Sequence, residues 1–165
     1  MQLVKDTDPA LKQKSTPWEF GLEEQSADEF EDGMIDLMIK SNGIGLAANQ
    51  VGITKRVFAI QLANNRRLAM FNPRVISASE IKEEGEEGCL SFPNLYLKVL
   101  RPKEIVSEYF DKNGQSCTIT LSGLEARCFL HELDHLNGVC FTENVSPLKL
   151  AMAIKKQKKR SITNG

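Results

Sequence analysis

An α+β fold, antiparallel strands packed around a central helix, is the class this sequence predicts, and three observations predict it. Stretches at 56–61, 68–72, 96–100, 104–110 and 116–121 are rich in β-branched, aromatic and other apolar residues and are bounded by turn formers, as strands are. Two other stretches follow a serine with a glutamate three positions later and repeat their apolar residues at helical period. One of these two carries both histidines of the chain.

Taken in order, residues 1–25 read as an irregular arm, since Thr16-Pro17-Trp18-Glu19-Phe20-Gly21 mixes breakers with bulky apolar groups that should pack on the domain. Ser26 with Glu29 is a capping box, and Phe30, Met34, Leu37 and Met38 follow on one helical face. That helix should run to about Ser41 and stop at Asn42-Gly43. The next stretch, Gly43-Ile44-Gly45-Leu46-Ala47-Ala48-Asn49-Gln50-Val51-Gly52, is dominated by small residues. It fits a tight turn under the sheet and a loop that lines a cleft with its backbone and the Gln50 amide equally well. It lacks the lysine and hydroxyl of a phosphate-binding loop.

Strands at 56–61 and 68–72 should join through Asn64-Asn65, with Pro73 ending the second. The acidic segment 80–87 reads as a solvated loop or edge strand and leads into Gly88-Cys89-Leu90-Ser91. Taken alone, Cys89 is most simply a small buried hydrophobe. Of the later strands, 104–110 and 116–121 are joined by the turn Asp111-Lys112-Asn113-Gly114. Residues 139–145 form a short strand or ordered connection, and Pro147 opens a final helix to about residue 160. The basic run at 155–160 complements the dipole at that helix's C-terminus.

The central helix holds the chemistry. Ser122 and Glu125 are a capping box at its start, and Asn137-Gly138 stops it. Leu124, Cys128, His131 and His135 lie on one stripe, so both imidazoles should face inward. In His131-Glu132-Leu133-Asp134-His135 the histidines are four apart and stack on one face, where one metal ion can take both. Glu132 then stands beside that ion, placed to manage protons. A buried imidazole pair without metal would need other hydrogen-bond partners.

The bulk numbers set the frame. The 165 residues fit a single domain, 1–165, with no internal repeat. With 41% hydrophobic and 26% charged residues the composition is that of an ordinary globular protein. A net charge of −1 gives no electrostatic case for DNA or a membrane as partner. No apolar run is long enough for a membrane span, and the N-terminus lacks the apolar core of a signal peptide. Four sparse, irregularly spaced cysteines suggest free thiols in a reducing compartment: the cytoplasm, a host's cytoplasm for a viral chain, or an organelle.

Three stretches together resemble the signature motifs of peptide deformylases: Gly43-Ile44-Gly45-Leu46-Ala47-Ala48-Asn49-Gln50, Glu87-Gly88-Cys89-Leu90-Ser91 and His131-Glu132-Leu133-Asp134-His135. They match in order and roughly in spacing, and the likeness runs from the first helix to about Lys149. The resemblance implies removal of the formyl group from the formyl-methionine of newly made chains. It implies one divalent ion, Fe²⁺ or Zn²⁺, held by Cys89, His131 and His135, with hydroxide on the ion as nucleophile. Glu132 becomes the general base, and Gln50 with the Leu90 N–H stabilises the developing oxyanion.

Gly43, Ile44, Gly45, Glu87, Leu124 and Cys128 are the candidate substrate contacts, the first three partly through the backbone. Arg101 should pair with Asp134 to support the helix. Tyr96 stands where many bacterial members place an arginine that contacts substrate. The final helix looks shorter than in bacterial members that dock on the ribosome with it, so a weak ribosome contact is a second reading of the basic run. Two rivals remain at this point: an endopeptidase with Glu143 as third ligand, and a structural zinc module with Cys140 as fourth.

Overall fold

The computed structural model describes residues 1–163; Asn164 and Gly165, the end of the expected 1–165 domain, lie outside the described residues, as do the side chains from Arg160 onward. Among the described residues three helices, α1 (Ala27–Lys40), α2 (Gly123–Leu136) and α3 (Pro147–Thr163), accompany seven strands. β1 (Gly45–Ala47), β2 (Val57–Gln61), β3 (Arg67–Ala78), β6 (Glu104–Phe110) and β7 (Ser116–Ser122) form one antiparallel sheet in the order β1-β2-β3-β6-β7. β4 (Lys82–Cys89) and β5 (Phe92–Pro102) pair separately as a two-stranded ribbon. This is the α+β class the sequence predicts.

The five-stranded sheet is covered on both faces, which is why β2 reads as an unbroken apolar run. Val57 and Ala59 pack with Phe30, Met34 and Met38 of α1. Phe58 and Ile60, their alternates, pack with Ala126, Cys128, Phe129 and Leu136 of α2. Phe58 and Phe129 meet edge to face with ring centroids 5.1 Å apart. The ribbon has its own small core, in which Leu95, Leu97 and Val99 lie against Phe141, Leu150 and Ile154 of the C-terminal segment. α2 is therefore wedged between the sheet and the ribbon, and whatever it carries faces both.

The arm runs irregularly as expected, with one 3-10 turn at Pro9–Lys12. Trp18 anchors it among Phe30 and Phe71. The capping box at Ser26 forms in both directions, Ser26 Oγ accepting from the Glu29 N–H and Glu29 Oε2 from the Ser26 N–H. The one at Ser122 does not: its hydroxyl caps nothing, and Glu125 Oε1 accepts from the Ala63 N–H at 2.7 Å instead. A long-range partner has outcompeted the local one.

Pro73 does not end the strand, which continues to Ala78 through a bulge between Phe71 and Arg74. Asn72 takes a left-handed φ of 49° there, and its side-chain amide pairs with the backbone of Trp18. The bulge removes the need for a ladder N–H at proline. Residues 139–145 hold a 3-10 turn, Phe141–Asn144, in place of the strand that was one of two expectations.

Candidate active site

Helix α2 delivers two imidazoles and the ribbon delivers a thiol. Cys89 closes β4, just where the register shifts and the chain turns through Leu90-Ser91 back to Phe92. The ligand atoms of Cys89, His131 and His135 all lie within 4.8 Å of one another, and Cys89 Sγ is 3.3 Å from His135 Nε2. Among the described residues no further His, Cys, Asp or Glu joins this group. One thiol and two imidazoles, with a fourth direction left for water, are a donor set that fits a divalent catalytic metal.

The imidazoles are prepared differently. His131 Nδ1 lies 2.9 Å from Glu87 Oε2, which leaves Nε2 for an ion. Burial presses the pKa of His131 down, but hydrogen bonds that the ring donates to Cys89 and Glu87 outweigh it and raise the value to about 10. Burial, reinforced by the charge of His131, pushes His135 well below its ordinary value, so it is a neutral ring. Its Nδ1 is buried without a hydrogen-bond partner. Asn49 Nδ2 holds the helix here by donating to the His135 carbonyl at 2.5 Å.

Glu87 anchors the opposite side. Burial alone would raise its pKa, yet His131 and Arg101 hold it at about 2. Arg101 grips both its oxygens, Nε to Oε1 at 2.9 Å and Nη2 to Oε2 at 3.1 Å. The same guanidinium donates Nη1 to Asp134 Oδ2 at 2.6 Å, the pair expected from the sequence. Glu132 sits within this frame with Oε2 buried and unpartnered. Burial, working against the pull of His131, lifts its pKa to about 7.

A cleft of about 710 Å³ opens over the cluster. Ile44 and Gly45 form one wall, and Leu90, Leu124 and Cys128 others. Gly45 is obligatory on steric grounds, because a Cβ there would overlap Glu132 Oε1 and Cys128 Sγ; β1 thus passes α2 at backbone distance. The Gln50 amide is oriented by the Ala47 N–H, which donates to its Oε1 at 2.9 Å. Its Nε2 then points at Cys89 Sγ (3.4 Å) and Ser91 Oγ (3.1 Å).

The family model of polypeptide deformylases matches residues 1–151, a span that contains this whole cluster. The chain belongs to the polypeptide deformylase family. It is 40% identical over 164 residues to the peptide deformylase of Rhizobium meliloti (strain 1021), covering 96% of this chain and 92% of the relative. The fold is similar to a peptide deformylase from Synechococcus elongatus solved in complex with actinonin, with a TM-score of 0.87, 36% identity, and coverage of 95% of this chain and 87% of that one. A Legionella pneumophila peptide deformylase gives a TM-score of 0.87 at 33% identity, covering 99% and 96%. Deformylases are metal-dependent hydrolases, and the three-donor group is where this member can hold its ion.

Of the residues picked from the sequence of this family member, Gly43, Ile44, Gly45, Gln50, Glu87, Cys89, Leu90, Leu124, Cys128, His131 and Glu132 all line the cleft. His135 lies behind them, fully buried. Two picks need correction. Glu87 reaches the cleft edge, but its carboxylate is spent on Arg101, Arg127 and His131 and has nothing left for a substrate. Leu124 is not on the buried stripe: it is 65% exposed, at the mouth of the cleft.

The rival ligands lie elsewhere. Glu143 Oε1 accepts from the Cys140 N–H and from Lys12, and the Cys140 thiol faces the Leu11 carbonyl. Asn49, Ser91, Arg127 and Leu3 of the arm were given no role from the sequence, although the structure brings each to the cleft or its supports. Arg127, four positions before His131 on a metal-bearing helix, was the one with a readable signal.

Proposed function

We propose that the chain removes the formyl group from the N-terminal formyl-methionine of newly made polypeptides, with Glu132 as the proton-transfer residue. The observation that carries this reading is the buried Glu132 carboxylate, its Oε2 without a hydrogen-bond partner, on the cleft floor beside Cys89, His131 and His135. Those three residues would hold one Fe²⁺ or Zn²⁺, since a thiolate with two imidazoles suits both ions. When bound, the ion supplies a Lewis acid that polarises the formyl carbonyl and makes a water nucleophilic near neutral pH.

Glu132 takes the proton of the attacking water and returns it to the departing amine. As the C–N bond breaks, formate and a free α-amino group result. Gln50 Nε2 and the Leu90 backbone N–H donate to the formyl oxygen while it carries negative charge, each worth about 3 kcal/mol of barrier. β1 is an edge strand, so the substrate backbone can extend the sheet along Gly43–Gly45. Ile44, Leu124 and Cys128 receive the methionine side chain, and the close walls leave room for formyl rather than acetyl.

The whole chain, 1–165, acts as one catalytic domain in this reading. The reaction takes place in the cytoplasm of the cell or host, and no helix among the described residues is long and apolar enough to cross a membrane. Exposed Lys155, Lys156 and Lys158 on α3 support a weak ribosome contact.

The test is hydrolysis of formyl-Met-Ala-Ser and acetyl-Met-Ala-Ser by anaerobically prepared, Fe²⁺-loaded protein, with Glu132→Gln as control. Formate release alone is expected, reduced roughly 10²–10⁴-fold in a variant that keeps its metal. Silence on both peptides from metal-loaded protein would overturn the reading.

A further inference from the structure

The two imidazoles differ in what holds them. His131 is held at its ring, where Nδ1 lies 2.9 Å from Glu87 Oε2. His135 has no such hold, since its Nδ1 is buried without a hydrogen-bond partner. It also stands in the last turn of α2, one residue before the helix ends at Leu136, and last turns are where helices fray. The turn does close on itself. The Gly138 N–H donates to the His135 carbonyl at 3.0 Å and the Val139 N–H to the Asp134 carbonyl at 2.9 Å, a Schellman arrangement with Gly138 at a φ of 74°. Those bonds are all local, so they shape the turn without fixing where it points.

Asn49 supplies the missing direction. It is fully buried, and its Nδ2 donates to the His135 carbonyl at 2.5 Å and to the Ala10 carbonyl at 3.4 Å. Ala10 belongs to the 3-10 turn Pro9–Lys12 of the arm, which Asp8 caps and Leu11 anchors in the interior. One amide thus joins the histidine-bearing helix to the arm. Ser15 of the arm seconds it, its N–H donating to the Leu136 carbonyl at 2.9 Å. The turn that carries Asn49, Ala48–Val51, is itself pinned: the Val4 N–H donates to the Gln50 carbonyl at 2.9 Å, and Gln50 Nε2 reaches Cys89 Sγ at 3.4 Å. The thiol and His135 are therefore referred to one frame.

We infer that Asn49 is the positioning residue of His135, setting the ring through the helix backbone, where Glu87 acts on the His131 ring itself. This rests on the metal-site reading above. A last turn free to tilt carries Nε2 away from Cys89 Sγ, 3.3 Å from it in the structure. A ligand that must be ordered as the ion arrives adds its ordering entropy to the cost of binding. The two devices share no atom, so loss of Asn49 should free one imidazole and spare the other.

The chain has two histidines in all, so nitrogen-15 imidazole spectra of the Zn²⁺-loaded protein contain two ring systems, and Glu87→Gln identifies that of His131. In Asn49→Ala and Asn49→Ser the His131 nitrogens should keep their coordinated shifts, while those of His135 broaden or move toward free imidazole. The Zn²⁺ dissociation constant, from chelator competition, should rise roughly 10–100-fold. An undisturbed His135 ring overturns the inference, and so does equal disturbance of both rings, which is what a general loosening gives. Should neither variant fold, the side-chain amide protons of Asn49 in wild type decide: slow exchange with solvent upholds the clamp, and exchange at the rate of a free amide overturns it. Wild type that binds no Zn²⁺ would strike the metal-site reading instead.

Discussion

His131 Nδ1 sits 2.9 Å from Glu87 Oε2, a carboxylate that Arg101 grips through both oxygens. The imidazole is thereby fixed in orientation, with Nε2 left for the ion site, before any metal arrives. Glu87→Gln keeps the shape but loses the charge and one ideal acceptor. Metal affinity should fall roughly 10–100-fold, with activity restored at high metal concentration. Competitive chelator titration measures it, and unchanged affinity would show that Glu87 does not prepare the ligand.

Glu87 also makes stability depend on acid. Its pKa falls from the ordinary 4.5 to about 2 on folding. A depressed carboxylate stabilises the fold fully above its unfolded value and loses that contribution as pH drops through the folded one. Wild type should therefore lose up to roughly 3 kcal/mol between pH 4.5 and 2 that Glu87→Gln does not lose. Urea midpoints of both proteins across that window decide the matter, and parallel curves would refute it.

Two serines that look alike in sequence should respond differently to mutation. Ser26 makes its capping box, so Ser26→Ala should cost about 1 kcal/mol. Ser122 makes no cap bond, and Ser122→Ala should stay within about 0.5 kcal/mol of wild type. Thermal unfolding of the pair provides the check.

Gly45→Ala places a methyl group into the space of Glu132 Oε1 and the Cys128 thiol. Glu132 Oε1 is the nearer of the two, so it is the group that must move. kcat should fall at least tenfold with metal content preserved. Activity within twofold of wild type would mean that β1 can retreat from α2.

What was legible in the sequence was local. The α2 stripe places His131, Glu132 and His135 through helical period alone, and the Ser26 box forms because its two partners are each other. Cys89 could not be assigned from its own surroundings; it took the likeness of three motifs together to single it out. Apart from Leu124, which the same stripe wrongly buried, the failures are long-range. Glu125 left its capping box for Ala63, Asn72 found Trp18 and carried β3 past Pro73, and Glu87 and Arg127 met across elements 40 residues apart. No window of sequence contains both members of such a pair.

The ribbon has a mechanical consequence. Its backbone ladder is closed on itself, and its ends at Lys82 and Pro102 are its base, while Cys89 and Phe92 are its tip. Paired strands of this kind have little independent stability, and this pair leans on Phe141 and α3 for the rest. An ion shared by Cys89 and α2 would therefore work as a latch on a lever, tying down the end farthest from the hinge. Losing it should loosen the amides of β4 toward hydrogen exchange while β2, clasped between α1 and α2, stays protected. Oxidation of a single thiol would then act twice, removing a ligand and releasing the flap that carries it.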